Sequence, residues 1–235
     1  MAAEFHNLSE NTGKTVLSDG REILREADAF SPELFRFLRY LAERNLPVEK
    51  PLRIEAGREI YQFERAESIH PKAWSDEALF AVGGLVRSLH DAGADYVPEN
   101  KEGFRPWYLR ELDGMHRIWC HGDIAPWNLL TRGGMPCFLI DWEYAGEQDP
   151  HVDIAMFAIY ALYDRAQIDT LIDAYFPEGC PGETRLKIYC YVAACGLLWS
   201  NWCEYKRQLG VEFGEYSLRQ YRYAKDFYRI FRAEE

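Results

Sequence analysis

The sequence has no C-x-x-C pair, no apolar run approaching about 18 residues and no basic-then-apolar leader. Its six cysteines (Cys120, Cys137, Cys180, Cys190, Cys195 and Cys203) stand apart in apolar or helical surroundings, so they are read as reduced thiols. The missing apolar run and leader exclude a transmembrane helix and a secretion signal from the expectation, which is a cytoplasmic protein. Basic residues are the minority. Lys and Arg number 27 against 38 Asp and Glu, and the resulting net charge of −11 argues against a nucleic-acid backbone or an anionic membrane as partner, while permitting a cationic one. Repeats and low-complexity stretches are absent too.

What is present suits a globular chain. Its 235 residues fit one large domain or two small lobes and can bury a sizeable core. Aromatic residues are plentiful (15 Tyr, 13 Phe, 7 Trp), and their concentration beyond residue 100 points to a pocket or helical core in the second half.

The pattern along the chain predicts strands first and helices later. Residues 15–26 read as a hairpin with Asp19-Gly20 as a two-residue turn. Ser31 is the expected N-cap of a helix with Pro32 at its first position and Leu34, Phe35, Leu38 and Leu41 as its apolar stripe. A second strand pair is expected at 52–54 and 59–63 around Gly57. Ser75-Asp76-Glu77 opens a helix running to about His90, and residues 93–107 read as a Gly- and Pro-rich loop. A short strand at 117–120 and a hairpin at 128–131 and 136–140 around Gly133-Gly134 follow. Beyond Asp149-Pro150 four helices are predicted at 151–163, 166–176, 183–208 and 215–232. Strands then helices give an α+β expectation, divided at 1–64 and 65–235.

The chemistry sits between those parts. His121-Gly122-Asp123 is followed five residues later by Asn128, and Asp141-Trp142-Glu143 ends an apolar run. This is the spacing H-x-D-x-x-x-x-N, then a second acidic turn, used to move the γ-phosphoryl group of a nucleotide. Such transfer needs a carboxylate to accept the proton of the attacking hydroxyl and cations to neutralise phosphate oxygens. Asp123 is the candidate base. Asn128, Asp141 and Glu143 offer hard oxygens to Mg²⁺. His121 is expected to support loop geometry. Two readings stand for Asp149 and Asp153: capping the helix that begins there or, for Asp153, bracing the catalytic loop through its backbone N–H groups.

The segments 121–128, Ile140-Asp141-Trp142-Glu143-Tyr144 and Asp149-Pro150-His151-Val152-Asp153-Ile154-Ala155 resemble the aminoglycoside phosphotransferase and choline kinase superfamily. A shorter stretch, Leu197 to Trp202 followed by Glu212 to Tyr216, is similar to the C-terminal helices of choline and ethanolamine kinases. The resemblance implies a two-lobed protein-kinase-like fold with a reduced N-terminal β-lobe and a mainly helical C-terminal lobe. It also implies ATP, Mg²⁺ and a small alcohol acceptor. A quaternary ammonium donates no hydrogen bonds and is held by aromatic faces. Tyr144, Tyr160, Trp199 and Trp202 are the candidate cage, core packing being the alternative reading of each.

The first lobe departs from the resemblance. There is no G-x-G-x-x-G, and Gly13-Lys14-Thr15 lacks the earlier glycine of a Walker loop, Leu8 standing there. Arg25 is the candidate strand cation, with Glu33 as its possible partner and a plain surface position as the alternative. Tyr61 and Phe63 lie in the stretch expected to lead to the inter-lobe hinge and the nucleotide base. The expected function is an ATP- and Mg²⁺-dependent kinase of a small, cationic alcohol, choline being favoured. An aminoglycoside phosphotransferase and a non-catalytic nucleotide or metabolite binder are the alternatives.

Overall fold

The computed structural model describes residues 5–8, 15–68, 74–99 and 117–234; the expected frayed residues 1–4 and 9–12, and 100–107 of the expected loop, lie outside them. Strands β1 (His6–Asn7), β2 (Leu17–Ser18), β3 (Glu22–Glu26), β4 (Pro51–Glu55) and β5 (Arg58–Gln62) form an antiparallel sheet in the order β1-β2-β3-β5-β4. The β2–β3 connection is longer than the expected two residues, because Ser18 pairs with Ile23. The Asp19 carboxylate closes it by accepting the N–H groups of Arg21 and Glu22, both at 2.8 Å.

Helix α1 (Ser31–Glu43) follows β3. Its cap differs from the expectation: Ser31 is already helical, and Asp28 accepts the N–H groups of Phe30 and Ser31. The expected stripe, with Phe37 added, is buried, and each such side chain contributes about 1.5–3 kcal/mol of burial free energy.

Helix α2 (Asp76–Ala94) begins where expected, the Ser75 hydroxyl accepting the Ala78 N–H. It continues past His90 to Ala94, and of the predicted loop residues 95–99 are described as non-helical. Strand β6 (Glu67–Ser68) pairs with β8 (Leu129–Arg132), which makes the predicted hairpin with β9 (Met135–Leu139). Strand β7 (Ile118–Cys120) pairs with β10 (Gly146–Gln148). Neither two-residue β6 nor three-residue β10 is long enough to show a period in the sequence. Helices α3 (His151–Tyr160), α4 (Arg165–Tyr175), α5 (Gly182–Gln208) and α6 (Glu215–Glu234) complete the described chain.

The α+β expectation holds: a small antiparallel sheet precedes a mainly helical half. One apolar cluster, from Leu34 and Phe37 on α1 to Phe227 on α6, joins them. Helix α3 is buried at every position from Val152 to Tyr160, which makes it the central element and explains its lack of a polar face. Glycine permits the closest approaches. A Cβ on Gly93 would lie 2.0 Å from the Trp119 carbonyl oxygen, so α2 can press on β7 only without a side chain there. Among the described residues, no helix is long and apolar enough to cross a membrane.

Candidate active site

Strand β7 delivers His121, Gly122 and Asp123 at its C-terminal end. Gly122 has φ +84°, and a Cβ there would meet the Tyr144 carbonyl oxygen at 2.1 Å, so the position admits only glycine. Beneath this turn lies Asp153, fully buried on α3. Its Oδ1 accepts Gly122 N–H at 3.0 Å and Gln148 Nε2 at 3.2 Å, and its Oδ2 accepts His121 N–H at 3.1 Å and pairs with His90 Nε2 at 3.0 Å. Of the two readings for Asp153, these bonds are those of a brace. Asp149 serves the helix start instead, accepting His151 N–H and the Lys187 ammonium; against burial, the His151 ring, Lys187 and that N–H hold its carboxyl at about 2.

His121 is buried with both ring nitrogens engaged. Nδ1 accepts the Asp123 N–H at 3.2 Å, so the proton is on Nε2, which donates to the Ile140 carbonyl at 3.0 Å. Burial lowers its pKa, keeping it neutral. The imidazole thus links the Asp123 loop to the segment that carries Asp141.

The Asp123 carboxylate receives the Tyr160 hydroxyl on Oδ1 at 2.9 Å and the Asn128 amide on Oδ2 at 3.4 Å. Asn128, ending a short 3-10 helix at Pro126–Asn128, also donates to the Asp123 carbonyl at 3.1 Å, which leaves its amide oxygen for another partner. Burial, reinforced by the charges of Asp141 and Glu143, pushes the Asp123 carboxyl up to about 7, against the Tyr160 hydrogen bond that lowers it. Asp141 and Glu143 lie within electrostatic reach of Asp123, and the Asn128 amide touches its carboxylate. Carboxylate and amide oxygens are hard donors of the kind that suit a divalent cation.

Asp141 has φ +68°, in the left-handed region that aspartate tolerates better than most residues. Its N–H donates to Glu49 Oε2 at 3.0 Å, and Glu49 is gripped by both Nη atoms of Arg25, at 2.9 and 2.8 Å. Arg25 therefore pairs with Glu49 and not with Glu33. Glu33 is buried between Arg36 and Tyr96, an ion pair and hydrogen bond that the i, i+3 spacing of Arg36 makes local. The Tyr61 side chain is not open to a ligand, and the hinge expectation for its strand rests on backbone groups. Its ring is wholly buried against Phe35 and Arg25 with its hydroxyl on Glu59, so it faces the core. Phe63 lies just beyond β5, half-buried, its N–H donating to the Arg21 carbonyl.

On the other side of Asp123 runs a row of rings. Trp127 packs on Tyr160 (centroids 4.9 Å apart), Tyr160 on Trp199 (5.3 Å), Trp199 on Trp202 (5.1 Å) and Trp202 on Phe213 (5.0 Å). Tyr216 follows Phe213 and feels the Asp123 charge. Tyr144 is half-buried beside Glu143 and within electrostatic reach of Asp123. The structure so joins Tyr160, Trp199 and Trp202, and adds Trp127 and Phe213, which residue-by-residue reasoning missed. Trp127 was findable, lying inside the 121–128 signature. His90 and Glu49 were not, because each meets its partner across more than 60 residues of chain.

A loop, an acidic turn and a helical floor arranged in this way define a kinase-like phosphotransferase fold, and known proteins agree. Residues 107–189 match the phosphotransferase enzyme family. Over 147 residues the chain is 37% identical to the trifolitoxin immunity protein of Rhizobium leguminosarum bv. trifolii, covering 60% of this chain and 56% of that protein. It is 33% identical over 109 residues to the protein LicA of Haemophilus influenzae, covering 43% of this chain and 40% of LicA. The chain thus spans about half the length of the curated relatives it matches. A choline/ethanolamine kinase family protein from Mesorhizobium loti superposes with TM-score 0.68 at 19% identity, over 99% of this chain and 88% of that one. The amicoumacin kinase hAmiN, solved with AMP-PNP, Ca²⁺ and its antibiotic, gives TM-score 0.77 at 14% identity, over 100% and 93%. The resemblance to the aminoglycoside phosphotransferase and choline kinase superfamily is borne out by the matched segment and by the fold.

Proposed function

We propose that the protein is an ATP- and Mg²⁺-dependent kinase that transfers the γ-phosphoryl group to the hydroxyl of a small, cationic alcohol, with choline the favoured acceptor. The observation that carries this reading is Tyr160, which bonds the Asp123 carboxylate with its hydroxyl while its ring continues the row from Trp127 to Trp202. Base and aromatic wall are thereby one continuous surface, as an alcohol with a cationic tail requires. Residues 1–64 form the nucleotide-binding lobe in this reading and residues 65–235 the catalytic and acceptor-binding lobe.

Asn128, Asp141 and Glu143 are the residues that hold Mg²⁺, which when bound supplies positive charge to the phosphate oxygens. Asp123 orients the acceptor hydroxyl and takes its proton as the oxygen attacks. With its carboxyl near 7, it is poised to do so at neutral pH. Tyr160 and Asn128 set the direction of that carboxylate. The rings of Trp127, Tyr160 and Trp199 offer faces to an ammonium that cannot donate hydrogen bonds. Trp202 is less available, since Lys206 already lies 5.4 Å over its ring.

A second reading has a specific basis, the 37% identity to a toxin immunity protein: resistance, by phosphorylating an antibiotic or a toxin. A polyamine antibiotic would be met by carboxylates, and the ring row argues for a single apolar cation instead. The test is purified protein with ATP, Mg²⁺ and a panel of choline, ethanolamine, an aminoglycoside and amicoumacin. The expected result is choline-stimulated ADP release that Asp123→Asn lowers at least ~10³-fold. ADP release with the antibiotics alone supports resistance, and nucleotide binding with no turnover on any acceptor supports a binder.

A further inference from the structure

We propose that Glu49 is a positioning residue for the metal-binding turn, fixing the Asp141 backbone and tying it through Arg25 to the small sheet. The proposal rests on the kinase reading above and concerns a residue outside its chemistry.

Glu49 is 1% exposed, lies between α1 and β4, and has every strong contact directed at the site. Oε1 takes Arg25 Nη2 at 2.8 Å; Oε2 takes both Arg25 Nη1 at 2.9 Å and the Asp141 N–H at 3.0 Å. Its backbone is anchored to the strand that delivers Asp141. Glu49 N–H donates to the Leu139 carbonyl at 3.1 Å, Leu139 N–H donates to Pro47 at 2.8 Å, and Val48 bridges Leu139 in parallel. Only Ile140 separates that anchor from the metal turn. Both ends of the Glu49 residue, backbone and carboxylate, thus hold the same three-residue stretch.

The stretch needs holding. Asp141 adopts φ +68°, a conformation that residues with a side chain keep only where their surroundings impose it. A buried carboxylate at this point would be costly alone, and the bidentate Arg25 fork offsets that cost. Arg25 stays protonated against burial because Glu49 and Asp141 both face it. Since Arg25 is on β3, any shift of the sheet against the helical half acts on Asp141 through a chain of two side chains. Glu33, the acidic residue placed on α1 where such a partner was expected, is engaged elsewhere and takes no part.

Three variants test this: Glu49→Ala, Glu49→Gln and Asp123→Asn, each read by thermal melting, by Mn²⁺ binding with a non-hydrolysable ATP analogue in electron paramagnetic resonance, and by steady-state kinetics. Glu49→Ala is expected to weaken Mn²⁺ binding and lower kcat by about 10–100-fold, with the acceptor KM within about twofold. Glu49→Gln keeps an oxygen for the Asp141 N–H and is expected to lose about threefold to tenfold. Asp123→Asn keeps Mn²⁺ binding and loses turnover. Folded Glu49→Ala with wild-type Mn²⁺ affinity and kcat overturns the proposal while leaving the kinase reading intact. If that variant does not fold, wild-type values in Glu49→Gln overturn it equally. A wild-type protein that neither binds the Mn²⁺–nucleotide nor turns over removes the kinase reading and this inference with it.

Discussion

The seam beneath the His121–Asp123 loop and the outer face of the small sheet both hold carboxylates against donors, with different consequences. In the seam, Asp153 is wholly buried and meets four donors from three parts of the chain: the loop's backbone, Gln148 and His90. On the sheet, Arg53 reaches Glu22 and Glu55 at the surface, with 47% of its side chain exposed. Buried polar groups have no water to fall back on, so losing one acceptor orphans every donor it served. Exposed ions return to solvent. The comparison teaches that the rigidity of this site comes from few buried acceptors rather than from many ion pairs.

The strongest way to break that comparison is Asp153→Ala. It leaves the buried His121 and Gly122 N–H groups and the His90 imidazole unpaired, and a loss of about 3–5 kcal/mol in unfolding free energy is expected by urea titration. A loss under about 1 kcal/mol would mean that water or neighbouring groups take over, and the seam would then differ little from the surface. Beside this seam His90, Cys120 and Asp153 bring three possible metal ligands together, and they are expected to bind nothing. Both His90 nitrogens are already engaged, by Tyr175 and Asp153.

Asp123→Asn gives a smaller and pH-dependent effect. Burial pushes the wild-type carboxyl up to about 7 from its ordinary 3.8, so the folded state binds its proton more tightly than the unfolded chain. Wild-type stability therefore falls as pH rises from about 4 through 7, and the contribution is fully lost above that. Asparagine has no such proton. The variant should gain on the wild type by about 2–4 kcal/mol between acid and pH 8 when divalent cations are absent. Melting curves at pH 5 and pH 8 check this, and a stability gap that shrinks as pH rises contradicts it.

What could be read from the chain divides along the same line as these two regions. Asp123, Asn128 and Asp141 were legible because a loop and a hairpin place them by local spacing, and His121 to Asn128 span a single turn system. The four C-terminal helices were legible through caps and apolar periods, even though α3 is buried on every side. Arg25 to Glu49 was not, because choosing between Glu33 and Glu49 requires knowing how α1 packs, and α1 carries Glu33 away to Arg36 and Tyr96. Tyr61 was placed by the order of elements alone, and only the fold shows its ring packed on Phe35 of α1. Trp199 and Trp202 had a helix face in sequence, but only the fold sets Tyr160 and Trp127 against them.

The smallest effect sharpens the comparison from its other side. Arg53→Ala removes two ion pairs, one of them a guanidinium fork onto Glu22, contacts that look as substantial in geometry as those of Arg25, at 2.8 to 3.2 Å. Arg53 lies on β4 at the sheet's edge, in water, where the Coulomb gain is screened and holding a long side chain still costs entropy. No measurable change in melting temperature is expected in buffer with physiological salt, and none in turnover. A clear loss would show that the sheet depends on its surface charge, and since β3 carries Arg25 while pairing with β5, which also pairs with β4, that loss should then spread to the Mn²⁺ affinity of the distant turn. Silence at Arg53 alongside a large effect at Glu49 would locate the coupling between sheet and site in the largely buried Arg25–Glu49 pair.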